Sequence, residues 1–139
     1  MIEWYIKKEE KDVLRNEYFA GTYRGEEPLR ATVYGWNNRY GENIAPAYEN
    51  FSLIVRFLER EDSALLEFLS IEVDGAVQTP IRTANSLVFS IQRRLAGEPN
   101  DGSFEGNEGN YFKIDATFDA PGVVLKNDDI KNLIFEITE

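Results

Sequence analysis

Apolar residues alternate with polar ones along most of this chain, and a period of two is the spacing of a strand with one buried face. Ile2, Trp4 and Ile6 mark a first strand, and Leu29, Ala31 and Val33 mark another that ends near Trp36. Phe51, Leu53, Val55 and Phe57 alternate without a break just before a charged segment. Ile71 and Val73 run into Asp74-Gly75, a two-residue hairpin signal, and Val77, Thr79 and Ile81 continue the alternation beyond it. Leu87, Phe89 and Ile91, then Phe112, Ile114, Ala116 and Phe118, then Leu133, Phe135 and Ile137 complete the series. A weakly patterned segment between Val13 and Tyr23 can supply one strand more.

About seven to nine short strands separated by turn-rich segments predict an all-β fold, an immunoglobulin-like or jelly-roll-like antiparallel β-sandwich. One segment dissents: Asp62 or Ser63 can cap a short helical turn through Ala64, Leu65, Leu66 and Glu67, crossing from one sheet to the other. The apolar parity of each strand puts Phe51, Leu53, Val55, Phe57, Phe89, Ile91, Phe112, Ile114, Phe118 and Phe135 in the core. No repeat and no Pro/Ser-rich linker divides the chain, so residues 1–139 read as a single domain.

Composition narrows the chemistry. Hydrophobic residues make up 42% of the chain and aromatic ones 13%, with nine Phe and seven Tyr, enough for a Phe-rich core. Twenty-five acidic residues against fifteen basic ones leave a net charge of -10, which repels nucleic-acid backbones and anionic membrane surfaces. The dense basic spots, Lys7-Lys8, Lys11 and Arg93-Arg94, are too small for a nucleic-acid footprint, and the runs Lys7-Lys8 and Arg93-Arg94 read as guards of strand ends. There is no Cys and no His, which removes disulfides, thiol nucleophiles, zinc sites and Ser-His-Asp chemistry. Carboxylate chemistry stays formally open, yet no acidic pair stands out, and the chain reads as a non-enzyme without a cofactor. The first residues lack the basic and apolar regions of a secretory signal, so the expectation is a protein made in the bacterial cytoplasm.

Two segments carry candidate sites. Residues 97–110 form the longest irregular stretch, with four Gly and four acids, and a loop this long is usually functional or mobile. Within it Asp101, Ser103 and Glu105 stand at alternate positions before Gly106, a partial match to a calcium loop that fails where Phe112 replaces the closing Glu. The reading is therefore no metal, with those three residues as the weak calcium candidate. The other segment places Trp36, Asn38, Arg39 and Tyr40 around a turn, a combination of flat rings and hydrogen-bonding groups that suits a surface glycan or a protein partner.

The run from Leu29 through Asn37-Asn38-Arg39-Tyr40-Gly41 to the alternating Phe51–Phe57 segment, with a closing strand at Tyr111-Phe112-Lys113-Ile114, resembles bacterial and phage immunoglobulin-like domains. Those domains occur in virion accessory proteins. The resemblance implies a non-catalytic binding or assembly module, a tail, neck or capsid accessory protein found in the virion, with protein partners and self-association to be expected. The alternatives are a carbohydrate-binding module using exposed Trp and Tyr, and a small carboxylate-dependent enzyme.

Overall fold

The computed structural model describes residues 2–6, 17–23, 25, 27–122 and 129–139, with the side chains of 17–22 and 129–131 left aside. Val13, Lys7-Lys8 and Lys11 fall outside these residues. The described strands are β1 (Ile2–Tyr5), β2 (Glu17–Tyr23), β3 (Leu29–Asn37), β4 (Tyr48–Phe57), β5 (Leu69–Val73), β6 (Ala76–Val77), β7 (Ile81–Arg82), β8 (Leu87–Leu95), β9 (Tyr111–Phe118) and β10 (Asp129–Thr138). They form two five-stranded antiparallel sheets, one ordered β1-β3-β9-β5-β6 and the other β2-β10-β4-β8-β7. The fold is an all-β sandwich.

The strand order also distinguishes the two topologies expected. An immunoglobulin sandwich gathers strands A, B, D and E into one sheet and C, F and G into the other. Here β2, β4, β8 and β10 share one sheet while β3, β5, β6 and β9 share the other, so the chain changes sheet almost every time it turns back. That alternation is the double Greek key of a jelly roll.

Register follows from the apolar parity. On β4, Leu53 pairs with Phe89 of β8 on one side and with Ile137 of β10 on the other, and Val55 pairs with Leu87 and Phe135. In the facing sheet Val33 pairs with Ile114, and Gly35 pairs with Phe112. The missing side chain at Gly35 is what admits the Phe112 ring, whose Cε1 lies 2.5 Å from where a Cβ would stand. Phe112 then meets Phe51 at 5.2 Å and Trp4 at 5.9 Å between ring centroids, joining the two sheets. All ten core residues named from the sequence are buried.

Two expectations change in detail. The helical turn is a 3-10 helix, Arg60–Phe68, which carries the chain from β4 to β5 and buries Leu66. Its N-cap position is Glu59 with no side-chain capping bond, so Asp62 and Ser63 lie inside it and do not cap it. Beyond the Asp74-Gly75 hairpin the alternation is not one strand: Val77 ends β6 in one sheet and Ile81 begins β7 in the other, and both stay exposed, at 74% and 73%. The even spacing continues across the crossing although no single face is being buried. No helix among the described residues is long and apolar enough to cross a membrane.

Candidate functional site

On β3 both parities carry apolar residues. Ala31 and Val33 face the core, while Tyr34 and Trp36 face the other way, onto the outer surface of their sheet. Tyr5 of β1 and Tyr111 of β9 lie on the same outer surface, and together these rings make a second apolar cluster outside the sandwich. An exposed aromatic patch of this kind needs a cover. Residues 97–110 supply it by folding back over the sheet and setting Phe104 against Tyr34, Trp36 and Tyr111, with centroids 4.6, 5.5 and 5.1 Å apart.

Asparagines hold this cover in place. Asn38 Nδ2 donates to the carbonyls of Asn43 and Gly97, Asn100 Nδ2 to those of Asn38 and Glu98, and Asn110 Nδ2 to those of Asn37 and Glu98. Asn37 Nδ2 reaches Pro46 and Ala96. Each amide offers two donors and so can join two segments of backbone at once. The loop is thus stapled to the 37–46 turn.

Arg39 locks the assembly from beneath. Only 5% exposed, its guanidinium carbon lies 4.3 to 5.0 Å from the ring centroids of Tyr5, Trp36, Phe104 and Tyr40, and its Nε and Nη2 both donate to the Gly102 carbonyl at 3.0 and 2.8 Å. A weakly hydrated planar cation suits a ring-lined recess of this sort. The four residues singled out in the sequence therefore divide. Trp36 and Arg39 are buried, Tyr40 is half exposed, and Asn38 spends its amide on backbone. Trp36 and Arg39 build the support of the outer face and are sealed from contact with a ligand.

The calcium candidates also divide. Asp101 Oδ1 accepts from the Ser103 amide, the Ser103 hydroxyl and Asn107 Nδ2, closing a small turn on itself. Those bonds, the Ser103 hydroxyl first, hold the Asp101 carboxyl below its ordinary value. Glu105 is exposed. Among the described residues no group of three or more His, Cys, Asp or Glu could hold a metal ion.

Beside the stapled loop the outer face opens into a pocket of about 480 Å³, lined by Tyr34, Asp74, Gly75, Arg93, Phe104, Glu108, Tyr111 and Lys113. Pockets of about 300–1,000 Å³ are the usual size for small-molecule sites. Phe104 and Tyr111 meet at 75° and form an aromatic corner. Asp74 and Gly75 adopt positive φ at the β5–β6 turn, and the turn is fixed to β9 by Asp74 Oδ1 accepting from the Lys113 amide at 3.0 Å. Arg93 shares the inward parity of Leu87, Phe89, Ile91 and Leu95, but it stands at the open side of the sandwich and reaches across to the facing sheet. There its Nη1 pairs with Asp74 Oδ2 at 2.7 Å and its Nη2 donates to the Glu108 carbonyl at 2.6 Å.

No family model, curated protein or solved structure matches the chain. Its function must be read from this pocket and its charges.

Burial, followed by the charge of Glu108, raises the Tyr111 phenol above its ordinary value, so it stays protonated through the neutral range. It donates to the Phe104 carbonyl at 3.1 Å and keeps its lone pairs. Glu108 is pushed down by hydrogen bonds from backbone amides, its own first and then that of Gly106 to its Oε1, and is ionised at neutral pH. Lys113 makes a 3.5 Å pair with Asp115 that leaves donors to spare. Tyr34 is 8% exposed and lines the pocket.

Sequence reasoning set Tyr34 among the aromatics around the Asn37-Asn38-Arg39 turn and passed over Phe104 and Tyr111 as site residues. The available signal was aromatic residues on the solvent parity of β3 and β9, where alternation calls for polar ones. The pairing of Arg93 with Asp74 had no local signal at all.

Proposed function

We propose that this protein is a non-catalytic binding module that takes its ligand in the pocket on the outer face of the β3–β9 sheet. The supporting observation is a pocket of about 480 Å³ whose lining sets Tyr34, Phe104 and Tyr111 beside the fixed Arg93–Asp74 ion pair. The acids there do not suit catalysis: Glu108 is held in its ionised form, and both Asp74 oxygens are occupied, by Arg93 and by the Lys113 amide. A proton donor needs the opposite, a carboxyl raised by burial or a like charge. The test is ligand-agnostic. Small uncharged fragments are titrated against the isotope-labelled chain, and amide shifts at Lys113, Asp74 and Phe104 are the expected response. Shifts scattered over the surface with none at these residues overturn the proposal.

A second reading, an assembly subunit such as a virion accessory protein, draws support from Val77 and Ile81. They are exposed on the short strands that end each sheet, where a neighbouring chain can be met. Sedimentation of the wild-type chain against Val77→Lys and Ile81→Lys separates it from the first.

A further inference from the structure

Resting on the second reading, of the chain as an assembly subunit, we infer that its partner is a further copy of itself, docked head to tail. The 38–46 turn of one copy lies against the outer face of β7, β8 and β4 in the next. Among the described residues the exposed large apolar side chains are Tyr40, Ile44, Leu58, Val77 and Ile81. Tyr40 and Ile44 form the turn patch, and Ile81 begins the other.

The turn is presented ready-made. Tyr40 and Ile44 project from it although the backbone around them is pinned: the Gly41 amide donates to the Asn38 carbonyl, the Asn100 amide to that of Gly41, and the Ala45 amide to that of Gly97. A rigid projection loses little freedom when it is bound. Its charge is one-sided. Residues 38–46 and the 97–102 stretch stapled to them carry Glu42, Glu98 and Asp101 on the surface, while their cation, Arg39, is buried.

The receiving face is the converse. Ile81 pairs with Val88, and Val88 with Ile54, so three β-branched residues lie side by side across β7, β8 and β4. Leu53, Val55, Leu87 and Phe89 take the core parity, which leaves this row on the outer surface, with the uncharged Ser52 and Ser90 as the row beside it. Residues 75–97, which supply β6, β7 and β8, contain three Arg and no acid, in a chain of net charge -10. Arg93 and Arg94 are matched by Asp74 and Glu49, and Glu136, opposite Ile54, is matched by Arg56. Arg82 donates to the neutral Ser63 carbonyl, with no acid paired to it among the described residues. An apolar row with an unmatched cation at its edge complements an apolar turn rimmed by acids, on a molecule whose copies otherwise repel one another.

The two patches cannot meet within one copy. Ile81 and Val88 stand at the start of β8, whereas Tyr48, just after the turn, pairs with Leu95 at its end, about 20 Å away along the strand. The contact therefore joins different copies. Because its two halves differ it is heterologous, and it builds a ring or an open row where a two-fold contact would stop at a pair.

Sedimentation velocity of the whole chain from about 10 μM to 1 mM reads the association. The wild type should form a concentration-dependent series of oligomers. Ile44→Lys and Ile81→Lys should each sediment as monomers with an unchanged melting temperature, since both positions are exposed. Mixed in equal amounts, the two variants should form a dimer and nothing larger, because one keeps the apolar row and the other keeps the turn. A mixture that stays monomeric, or either variant associating like the wild type, overturns the head-to-tail contact and leaves the assembly reading in place. A wild-type chain that is monomeric throughout the range overturns both.

Discussion

Gly97 has no room for a side chain: a Cβ there would stand 2.1 Å from the Ala45 carbonyl oxygen and 3.1 Å from that of Pro46. Both obstacles are backbone, and the Ala45 amide is itself bonded to the Gly97 carbonyl at 2.8 Å, so neither partner can yield without losing the staple. Gly97→Ala should therefore cost about 1–3 kcal/mol, read as a shift of the urea midpoint, and should loosen the cover over Trp36. Individual residues were the hardest scale to read from sequence. Asn37, Asn38, Asn100 and Asn110 look like ordinary turn residues, and their work is to join carbonyls brought together only by the fold. Arg39 looked like a contact residue because cations are usually exposed. Four rings from three separate segments remove it from solvent. Tyr34 is the converse case, with a position on β3 visible in the alternation and a pocket visible only once Phe104 and Asp74 have closed around it.

Strands were legible because each needs only its own parity to be recognised. β4 is the clearest, lying between β10 and β8 with Phe51, Leu53, Val55 and Phe57 all buried. Phe57→Ala should lower stability by about 3–5 kcal/mol, since the ring is 3% exposed and packs edge-on against Phe118 at 5.6 Å. Val77→Ser, by contrast, should change it by less than about 0.5 kcal/mol. The pair of denaturation curves checks the register of β4 and the crossing between β6 and β7 in one measurement. The misreading of that crossing has a simple cause: period two reports an extended backbone, and only burial distinguishes a strand with a core face from a linker that passes between sheets. The 3-10 helix was visible as helix formers after a charged break, but its tighter winding and uncapped start were not.

The whole molecule carries a pH window that follows from its shifted groups. Tyr5, Tyr48 and Tyr111 are raised above their ordinary value of 10.0, with burial the leading cause in each. As pH climbs past about 10 the unfolded chain releases these protons while the folded one keeps them, so stability declines until the folded values are passed. Asp101 and Glu108 are lowered from 3.8 and 4.5, so the stability they lend is present above those values and fades as pH falls through the folded ones. A thermal scan across pH should show a neutral plateau with a decline at each end, and Tyr111→Phe should lessen the alkaline decline. A scan that rises between pH 10 and 11 would contradict the burial of these phenols.

The order of the strands also decides when the protein can exist during its own synthesis. β9 sits between β3 and β5, and β10 sits between β2 and β4, so the two described strands made latest are the ones that join the rest of each sheet. Until then, among the described strands, the pairs able to form are β1–β3, β4–β8, β5–β6 and β7–β8, and Glu17 must wait for Ile134, more than a hundred positions later. Such long-range closure places folding in the slow class, on the order of milliseconds to seconds, and leaves β3 and β4 with open edges in the nascent chain. A ribosome-stalled chain ending before β9 should remain protease-sensitive throughout, and resistance should arrive in a single step once β10 has cleared the exit tunnel.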